Sequence, residues 1–398
     1  MKFLMVTHYF GSHQGGIELV AEKLFHGLAR RGCEVVWAAA DVTDPPSEVP
    51  CGSVLPLKTW NGVEGITGLP FPAPSISALR KLCWQVNRAD LILLHDCLYF
   101  SNVIALLRAR MLGVPVMVVQ HIGMVPYRNS VLRTMMKLAN ALVTRPMLAA
   151  AQQVVFISQN TARYFASVNF RQPPVVVFNG VDTGIFRPLK EEENKSEIRE
   201  RLRLPQGGLV VLFVGRFVEK KGLPALQRMV GMRPEWTWAF AGWGPLDPAS
   251  WNAPNVRVFS NLRGDSIAAL YRVCDLLVLP STGEGFPLVV QEALAAGLPV
   301  VCGNDTLCAD DAMRDFIRGA PVYTGDENQT AREFLRAIDE LITSEMEESR
   351  SAERRAFAVS RYSWDAAAER YLEIASRLVS TAGSGAVKSK VSAEKGSQ

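Results

Sequence analysis

The chain has 398 residues, 48% of them hydrophobic and 21% charged, with a formal net charge of +4, 30 Gly and 23 Pro. This composition excludes a wholly disordered or low-complexity chain, and the length suits two or three domains that each bury a core. The seven cysteines (33, 51, 83, 97, 274, 302 and 308) include no C-x-x-C pair, which argues against a disulfide scaffold or zinc site and for a reduced cytoplasm.

The opening MKFLMVTHYFG lacks the three-part pattern of a secretory signal. Lys2–Thr7 reads as a strand, followed by a Gly-containing turn with His8 and His13 and a helix over Ile17–Arg30. Cys33–Ala40 is a second β-run, and others occur at 90–95, 114–120, 153–157 and 174–178, most of them separated by helix-length segments. Short Val/Ile/Leu runs alternating with helices predict a parallel α/β sheet. Prolines at 45, 46, 50, 56, 70, 72 and 74 mark 44–74 as a loop-rich insertion, expected to line a cleft. The apolar stretches 91–107 and 111–127 are interrupted by His95, Asp96 and His121. None reaches ~18 uninterrupted apolar residues, so no transmembrane helix is expected.

Charge is uneven along the chain. Residues 1–182 hold 16 Lys and Arg against 10 Asp and Glu, whereas 183–398 hold 27 against 29. No acidic residue occurs from Cys97 to Val181, where Arg108, Arg110, Arg128, Arg133, Lys137, Arg145, Arg163 and Arg171 supply eight positive charges. Within this stretch 131–145 reads as an amphipathic helix, with Leu132, Met135, Met136, Ala139, Leu142 and Val143 opposite Arg133, Lys137, Asn140 and Thr144. Either it is an ordinary surface helix with a basic face, or residues 108–171 attract an anionic membrane surface or a phosphate-bearing acceptor. No aromatic residues interleave with these charges as a single-strand nucleic-acid groove requires, so no nucleic-acid partner is expected.

The charged, proline-flanked stretch Arg187–Pro205 reads as a domain junction. A second alternation begins there, with strands at 209–214, 236–241, 255–259, 275–279 and 298–302 and helices at 222–231, 265–273, 287–296 and 329–344. The expected domains are 1–183 and 184–363, a final helix at about 364–380 that returns to the first domain, and a disordered tail at 381–398.

Three motifs in this second half end strands, where open α/β sheets bind ligands. VLFVGRFVEKKGLPAL closes a β-run at Gly215-Arg216 and opens a helix after Lys220-Lys221-Gly222, so that Arg216 and Lys221 can converge on a diphosphate. AFAGWGPLD ends a strand in a Gly-x-Gly-Pro turn at Gly242, which permits close backbone approach. LPSTGEGFPLVVQEALAAGLPV carries Glu284 in a Gly-flanked loop and Glu292 eight residues later within the next helix. The N-terminus of that helix suits a phosphate or a sugar hydroxyl, and a glutamate within it can accept from a ribose diol.

Taken together these motifs resemble the group 1 (family 4) glycosyltransferases of GT-B architecture. GGIELVAEKLFHGLARRGCEVV is similar to that family's glycine loop and first helix, and VVVFNGVDTGIFRP to its interdomain motif. VGRFVEKKG, AGWGP and PSTGEGFPLVVQEALAAGLPVV are similar to its donor-side motifs in order, and YSWDAAAERYLEI to its terminal crossover. The resemblance spans residues 1 to about 380 and implies two Rossmann-like, doubly wound parallel-sheet domains facing a cleft. It implies donor binding in the second domain and acceptor binding in the first. By position, Arg216 and Lys221 would hold the diphosphate and take up leaving-group charge, Glu292 the ribose, and Glu284 the transferred sugar. Backbone at Gly215, Gly242, Gly285, Phe286 and Leu288 would assist, Gly15 and Gly16 would approach the diphosphate, and His121 would lie near the sugar. His95, His8 and His13 are lesser candidates.

The resemblance further implies transfer of a hexose-type sugar from a nucleotide-diphosphate donor to a saccharide or lipid-linked acceptor, with retention. No cofactor and no essential metal are expected, and the chain contains no Asp-x-Asp triplet. The expected location is cytoplasmic, peripheral to the inner face of the plasma membrane. Two departures stand out: 302–316 replaces a Gly-Gly-x-x-E-like segment, and Ser260-Asn261 replaces the glycine usual after the strand at 255–259. The alternatives are a nucleotide-sugar epimerase of the same fold and a non-catalytic saccharide binder. A dehydrogenase is rejected, because the first turn, Gly11 to Gly16, is not G-x-G-x-x-G.

Overall fold

The computed structural model describes residues 1–13, 16–42, 44–46, 49–60, 62, 72–123, 130–282, 286–345 and 348–395. The chain forms two compact units, one of Met1–Asn179 with the segment from Ala367 onward, the other of Gly180–Ala366.

The first unit is built on β1 (Lys2–Val6), α1 (Gly16–Arg30), β2 (Glu34–Ala40), β3 (Gly52–Leu57), β4 (Thr59–Trp60), β5 (Ala73–Pro74), α2 (Ile76–Val86), β6 (Leu91–His95), α3 (Phe100–Leu112), β7 (Val116–Gln120), α4 (Ser130–Ala139), α5 (Arg145–Ala150), β8 (Gln153–Phe156), α6 (Gln159–Tyr164) and β9 (Val175–Val176). Its seven-stranded sheet has the order β3-β2-β1-β6-β7-β8-β9, with every pairing parallel. β6, β7 and β8 are buried at every residue, as an all-parallel sheet covered on both faces requires. One core cluster joins Leu4, Val36, Ile92, Val118 and Phe156 of the strands to Leu82, Leu106 and Leu148 of α2, α3 and α5.

The second unit repeats the plan with α7 (Lys195–Arg201), β10 (Val210–Arg216), α8 (Leu223–Met232), β11 (Thr237–Trp243), β12 (Val256–Phe259), α9 (Asp265–Val273), β13 (Leu276–Leu279), α10 (Leu288–Ala295), β14 (Val300–Gly303), α11 (Asn304–Leu307), β15 (Arg318–Ala320), α12 (Glu327–Glu345) and α13 (Glu348–Tyr362). The sheet order is β12-β11-β10-β13-β14-β15, again all parallel. In both sheets the order reverses beside the first strand, between β1 and β6 and between β10 and β13. The carboxyl ends of those four strands are where a doubly wound sheet offers its ligand crevice.

Several expectations are corrected. The proline-rich 44–74 contributes β3 to the sheet edge and a short antiparallel pair, β4 with β5. Pro56 is tolerated in β3 because that strand is an edge. The stretch 187–205 lies inside the second unit and carries α7, whose Arg199 forks onto Asp275 at 2.9 and 3.0 Å. The helix expected over 131–145 stops at Ala139 and passes through a π turn at Asn140–Thr144. The extra residue in that turn rotates the faces of the chain beyond it. Asn140 and Thr144, at the two ends of the turn, are buried and bonded to each other at 2.9 Å, while Met135, Leu138 and Leu142 are exposed. The last helix is α14 (Trp364–Lys395).

Candidate active site

In the second unit, β10 and β11 end side by side with Gly215 opposite Gly242 and Arg216 opposite Trp243. Both glycines have positive φ, 154° and 155°. A Cβ on Gly242 would lie 1.9 Å from the Gly215 carbonyl oxygen, so the AGWGP glycine is there to let two backbones meet. The Arg216 guanidinium lies 5.0 Å above the Trp243 ring, a cation–π contact that holds an exposed cation in place. The chain then makes a 3₁₀ turn, Glu219–Lys221, and enters α8 through Gly222 at φ 78°. The Lys221 side chain runs back along Gly215, its Cδ 3.9 Å from where a Gly215 Cβ would stand.

The loop after β13 is stitched to this turn. Thr282 N–H donates to the Lys220 carbonyl at 3.1 Å, and a Cβ on Gly222 would lie 2.3 Å from the Pro280 carbonyl oxygen. The motifs at 215–222 and 280–288 therefore meet at the switch point of the second sheet. Pro287 caps α10 with φ −67° and ψ 128°, so the helix starts at Leu288, one residue later than its sequence pattern predicts. Phe286 lies edge-on to Tyr362, with ring centroids 5.3 Å apart. Glu284 and Gly285 lie outside the described residues.

Glu292 is half-buried on α10, and its Oε2 accepts from the Tyr271 hydroxyl of α9 at 2.6 Å. Burial pushes the carboxyl up to about 7 against the opposing pull of that hydrogen bond. Tyr271 in turn packs edge-on against Phe186 at 5.3 Å. The divergent segment has its own anchor. Asp310 is buried and accepts from the Tyr362 hydroxyl at 2.6 Å and from Arg361 Nη2 at 2.8 Å.

In the first unit, four of the five histidines gather at the carboxyl ends of β1, β6 and β7. His8 stacks on Tyr99 at 4.0 Å and bonds Glu18 of α1 through Nε2 at 2.8 Å, with His13 Nδ1 3.6 Å from the same carboxylate oxygen. His95 Nδ1 meets His121 Nε2 at 3.0 Å. Asp96 takes φ 60°, a left-handed conformation that Asp tolerates, and accepts from the His121 backbone N–H at 2.8 Å. Asn102 donates to the carbonyls of both His95 and Asp96 at 2.7 Å, tying α3 to the end of β6.

Burial pushes His121 down to about 3, with the Glu18 charge opposing and His8 adding to the fall. Burial likewise drives His95 well below the ordinary histidine range, His121 and His8 adding to it. Burial raises Asp96 to about 7 despite the N–H groups of His121 and Ile122. For Glu18 burial acts upward, but the hydrogen bond and charge of His8 outweigh it and the carboxyl is lowered. Gly16 begins α1 with open space where a Cβ would stand, and Gly15 lies outside the described residues. Among the described residues no group of three or more His, Cys, Asp or Glu is placed to hold a metal ion.

The structure thus brings Arg216, Lys221, Gly215 and Gly242 to adjoining strand ends of one unit, places Phe286 in the loop before α10 and Leu288 and Glu292 on that helix, and puts His121 into a histidine cluster of the other unit. Sequence reasoning missed Glu18, Asp96, Asn102 and Tyr271. Glu18 and Asp96 had a signal, since one comes directly after the glycine loop and the other adjoins His95. Tyr271 had none, being one apolar-face residue in an ordinary helix.

Comparisons with known proteins cover both units. A family model for glycosyl transferases group 1 matches residues 194–359, and one for glycosyltransferase family 4 matches 14–184. The D-inositol 3-phosphate glycosyltransferase of Salinispora tropica is 32% identical over 226 residues, 50% of this chain and 45% of that protein. Its counterpart in Acidothermus cellulolyticus is 26% identical over 403 residues, 90% of this chain and 85% of that one. The crystal structure of Anabaena HepE in complex with UDP-glucose aligns with a TM-score of 0.65 at 19% identity, over 95% of this chain and 100% of that one, and shares the GT-B fold.

Proposed function

The chain belongs to the group 1 / family 4 glycosyltransferases, and on that premise we propose that it moves a hexose-type sugar, with retention and without an essential metal, from a nucleotide-diphosphate donor to a saccharide or lipid-linked acceptor. The observation that carries this reading is the approach of Lys221 and Arg216 to one glycine-cleared strand end, beside the loop that leads into α10. Two cations there neutralise a diphosphate and stabilise it as it departs, the task a metal otherwise performs. The C1–O bond to the diphosphate breaks on the face that the acceptor hydroxyl attacks; the diphosphate oxygen keeps the bond's electron pair and takes up the hydroxyl's proton as the new glycosidic bond forms.

Glu292 accepts from the ribose diol, with Tyr271 fixing the carboxylate. Glu284 accepts from hydroxyls of the transferred sugar, and the backbone N–H groups of Gly285, Phe286 and Leu288 assist at the diphosphate. His121 is assigned a hydrogen bond to the transferred sugar. The donor assignment draws support from the HepE structure, which holds UDP-glucose in the same fold.

A peripheral membrane location, on the cytoplasmic side, fits the surface of the first unit. No described helix is long and apolar enough to cross a membrane. Trp84 of α2, Leu107 and Met111 of α3, and Met135, Leu138 and Leu142 after β7 are exposed. The same segments carry Arg80, Lys81, Arg88, Arg108, Arg110 and Lys137, with Arg88 stacked 4.5 Å from the Trp84 ring, an apolar and basic composition suited to anionic lipid.

The test is release of nucleoside diphosphate from a sugar donor. Lys221→Ala should lower turnover about 10²–10³-fold, the typical effect of removing one transition-state charge contact. Turnover at the wild-type rate in that variant would refute the leaving-group role.

A further inference from the structure

The His95–His121 pair carries an unused piece of chemistry. Both rings are buried, their nitrogens meet at 3.0 Å, and only one of the two can hold the proton between them. The far nitrogen of His95, Nε2, is buried and has no hydrogen-bond partner among the described residues. That orphan distinguishes the two arrangements. If His121 donates from Nε2, His95 must carry its own proton on the orphaned Nε2, leaving a buried N–H with nothing to accept it. If His95 donates from Nδ1, its orphan is a bare lone pair. Unpaired buried donors are the rarer and costlier defect.

The second arrangement also fixes His121. With Nε2 accepting, the proton of a neutral ring must reside on Nδ1. The surroundings favour that neutral ring, since burial opposes protonation of either histidine. The position is clamped as well. Asp96 accepts from the His121 backbone N–H, and Asn102 binds the carbonyls of His95 and Asp96, so the backbones that carry the two rings are tied together. The charged and titratable groups around the pair are Asp96 next in sequence, Glu18 from α1 and His8 after β1.

We propose that His95 is a positioning residue that holds His121 as its Nδ1–H tautomer, so that His121 offers its sugar ligand a hydrogen-bond donor and never acts as a base. The proposal rests on the reading that His121 meets the transferred sugar. The hydroxyl oxygen of a sugar accepts that N–H, and no proton is transferred.

The test is a ring-nitrogen correlation NMR spectrum of the full chain labelled with nitrogen-15 at histidine, with His121→Gln used to assign the signals. The expected spectrum shows His121 protonated at Nδ1 and bare at Nε2. His95→Phe keeps a ring but removes the donor. The His121 Nε2 signal should then shift to that of a nitrogen that accepts no hydrogen bond, and turnover should fall about tenfold or more at an unchanged KM for the donor, an effect of RT ln 10 on the transition state alone. A wild-type His121 protonated at Nε2, or a His121 spectrum untouched by His95→Phe, overturns the proposal. The wild-type spectrum needs no substrate, and its assignment needs only His121→Gln. If it shows the expected tautomer while His121→Gln turns over at the wild-type rate, the sugar-site role of His121 is refuted and the tautomer assignment stands.

Discussion

Tyr271→Phe removes one hydroxyl, which donates to Glu292 Oε2 at 2.6 Å. That hydrogen bond is the interaction that opposes the burial-driven rise of a carboxyl poised at about 7. A hydrogen bond to a charged group is worth about 1.5–3 kcal/mol, which is about 1–2 pKa units. Without it the Glu292 carboxyl should titrate at about 8–9, and the carboxylate fraction at pH 7 should fall from about one half to about 1–10%. If the carboxylate form binds the ribose diol, nucleotide affinity at pH 7 should weaken about 5–50-fold. The variant's deficit should shrink as pH rises through 8 and 9, because both proteins then hold a carboxylate. The assay is nucleoside-diphosphate binding by calorimetry between pH 6 and 9, with the melting temperature as a check on folding. A deficit equal at every pH would mean that Tyr271 acts only through packing, and no deficit would remove Glu292 from the ribose site.

Gly242→Ala places a Cβ 1.9 Å from the Gly215 carbonyl oxygen at φ 155°, and should cost at least about 2 kcal/mol in chemical denaturation, with loss of nucleotide binding. Unchanged binding would mean that the β10–β11 junction is not part of the donor site. Asp310→Ala leaves the Tyr362 hydroxyl and Arg361 without their shared partner, and should destabilise the second unit by about 3 kcal/mol. A shift in urea midpoint equivalent to under 1 kcal/mol would contradict that anchoring role. His95 and His121 have folded pKa values below the ordinary histidine range, so the unfolded chain binds more protons as pH falls below about 6.5. His121→Gln should therefore lose less stability than wild type between pH 6.5 and 4.5, and denaturation midpoints that fall equally in both would contradict the burial of a neutral ring.

The central strands of both sheets were legible because an all-parallel sheet buries both faces, whereas the edge strands β3 and β15 were not foreseen. Runs such as LILLH and VMVVQ are apolar nearly throughout and cannot be mistaken for half-exposed strands. The loops after β10 and β11 were legible for a related reason: Gly242 and Gly222 stand where a Cβ would strike backbone, so glycine marks the place directly. The features that stayed hidden depended on tertiary context. Nothing local distinguishes Pro56 in a loop from Pro56 in an edge strand, or reveals the π turn that buries Asn140 and Thr144. Helix α13 was concealed by its charge, since the run ESRSAERR hides Arg354, a buried side chain whose Nε donates to the Phe316 carbonyl. Tyr271 and Asp96 became site residues only once α9 and the end of β6 were placed against their neighbours.

The central claim is that the loops after β10 and β13 bind a nucleoside diphosphate through Lys221 and Arg216. It is tested most directly by melting temperature in the presence of UDP, GDP, ADP, CMP and their sugar conjugates, with and without EDTA, for wild type and Lys221→Ala. A ligand at ~100 times its Kd adds about 2.7 kcal/mol of apparent stability, a shift well within reach of the measurement. The account predicts that one nucleoside diphosphate and its sugar conjugate raise the wild-type melting temperature regardless of EDTA, and that Lys221→Ala loses most of the shift. No shift from any nucleotide, or an equal shift in Lys221→Ala, would contradict it.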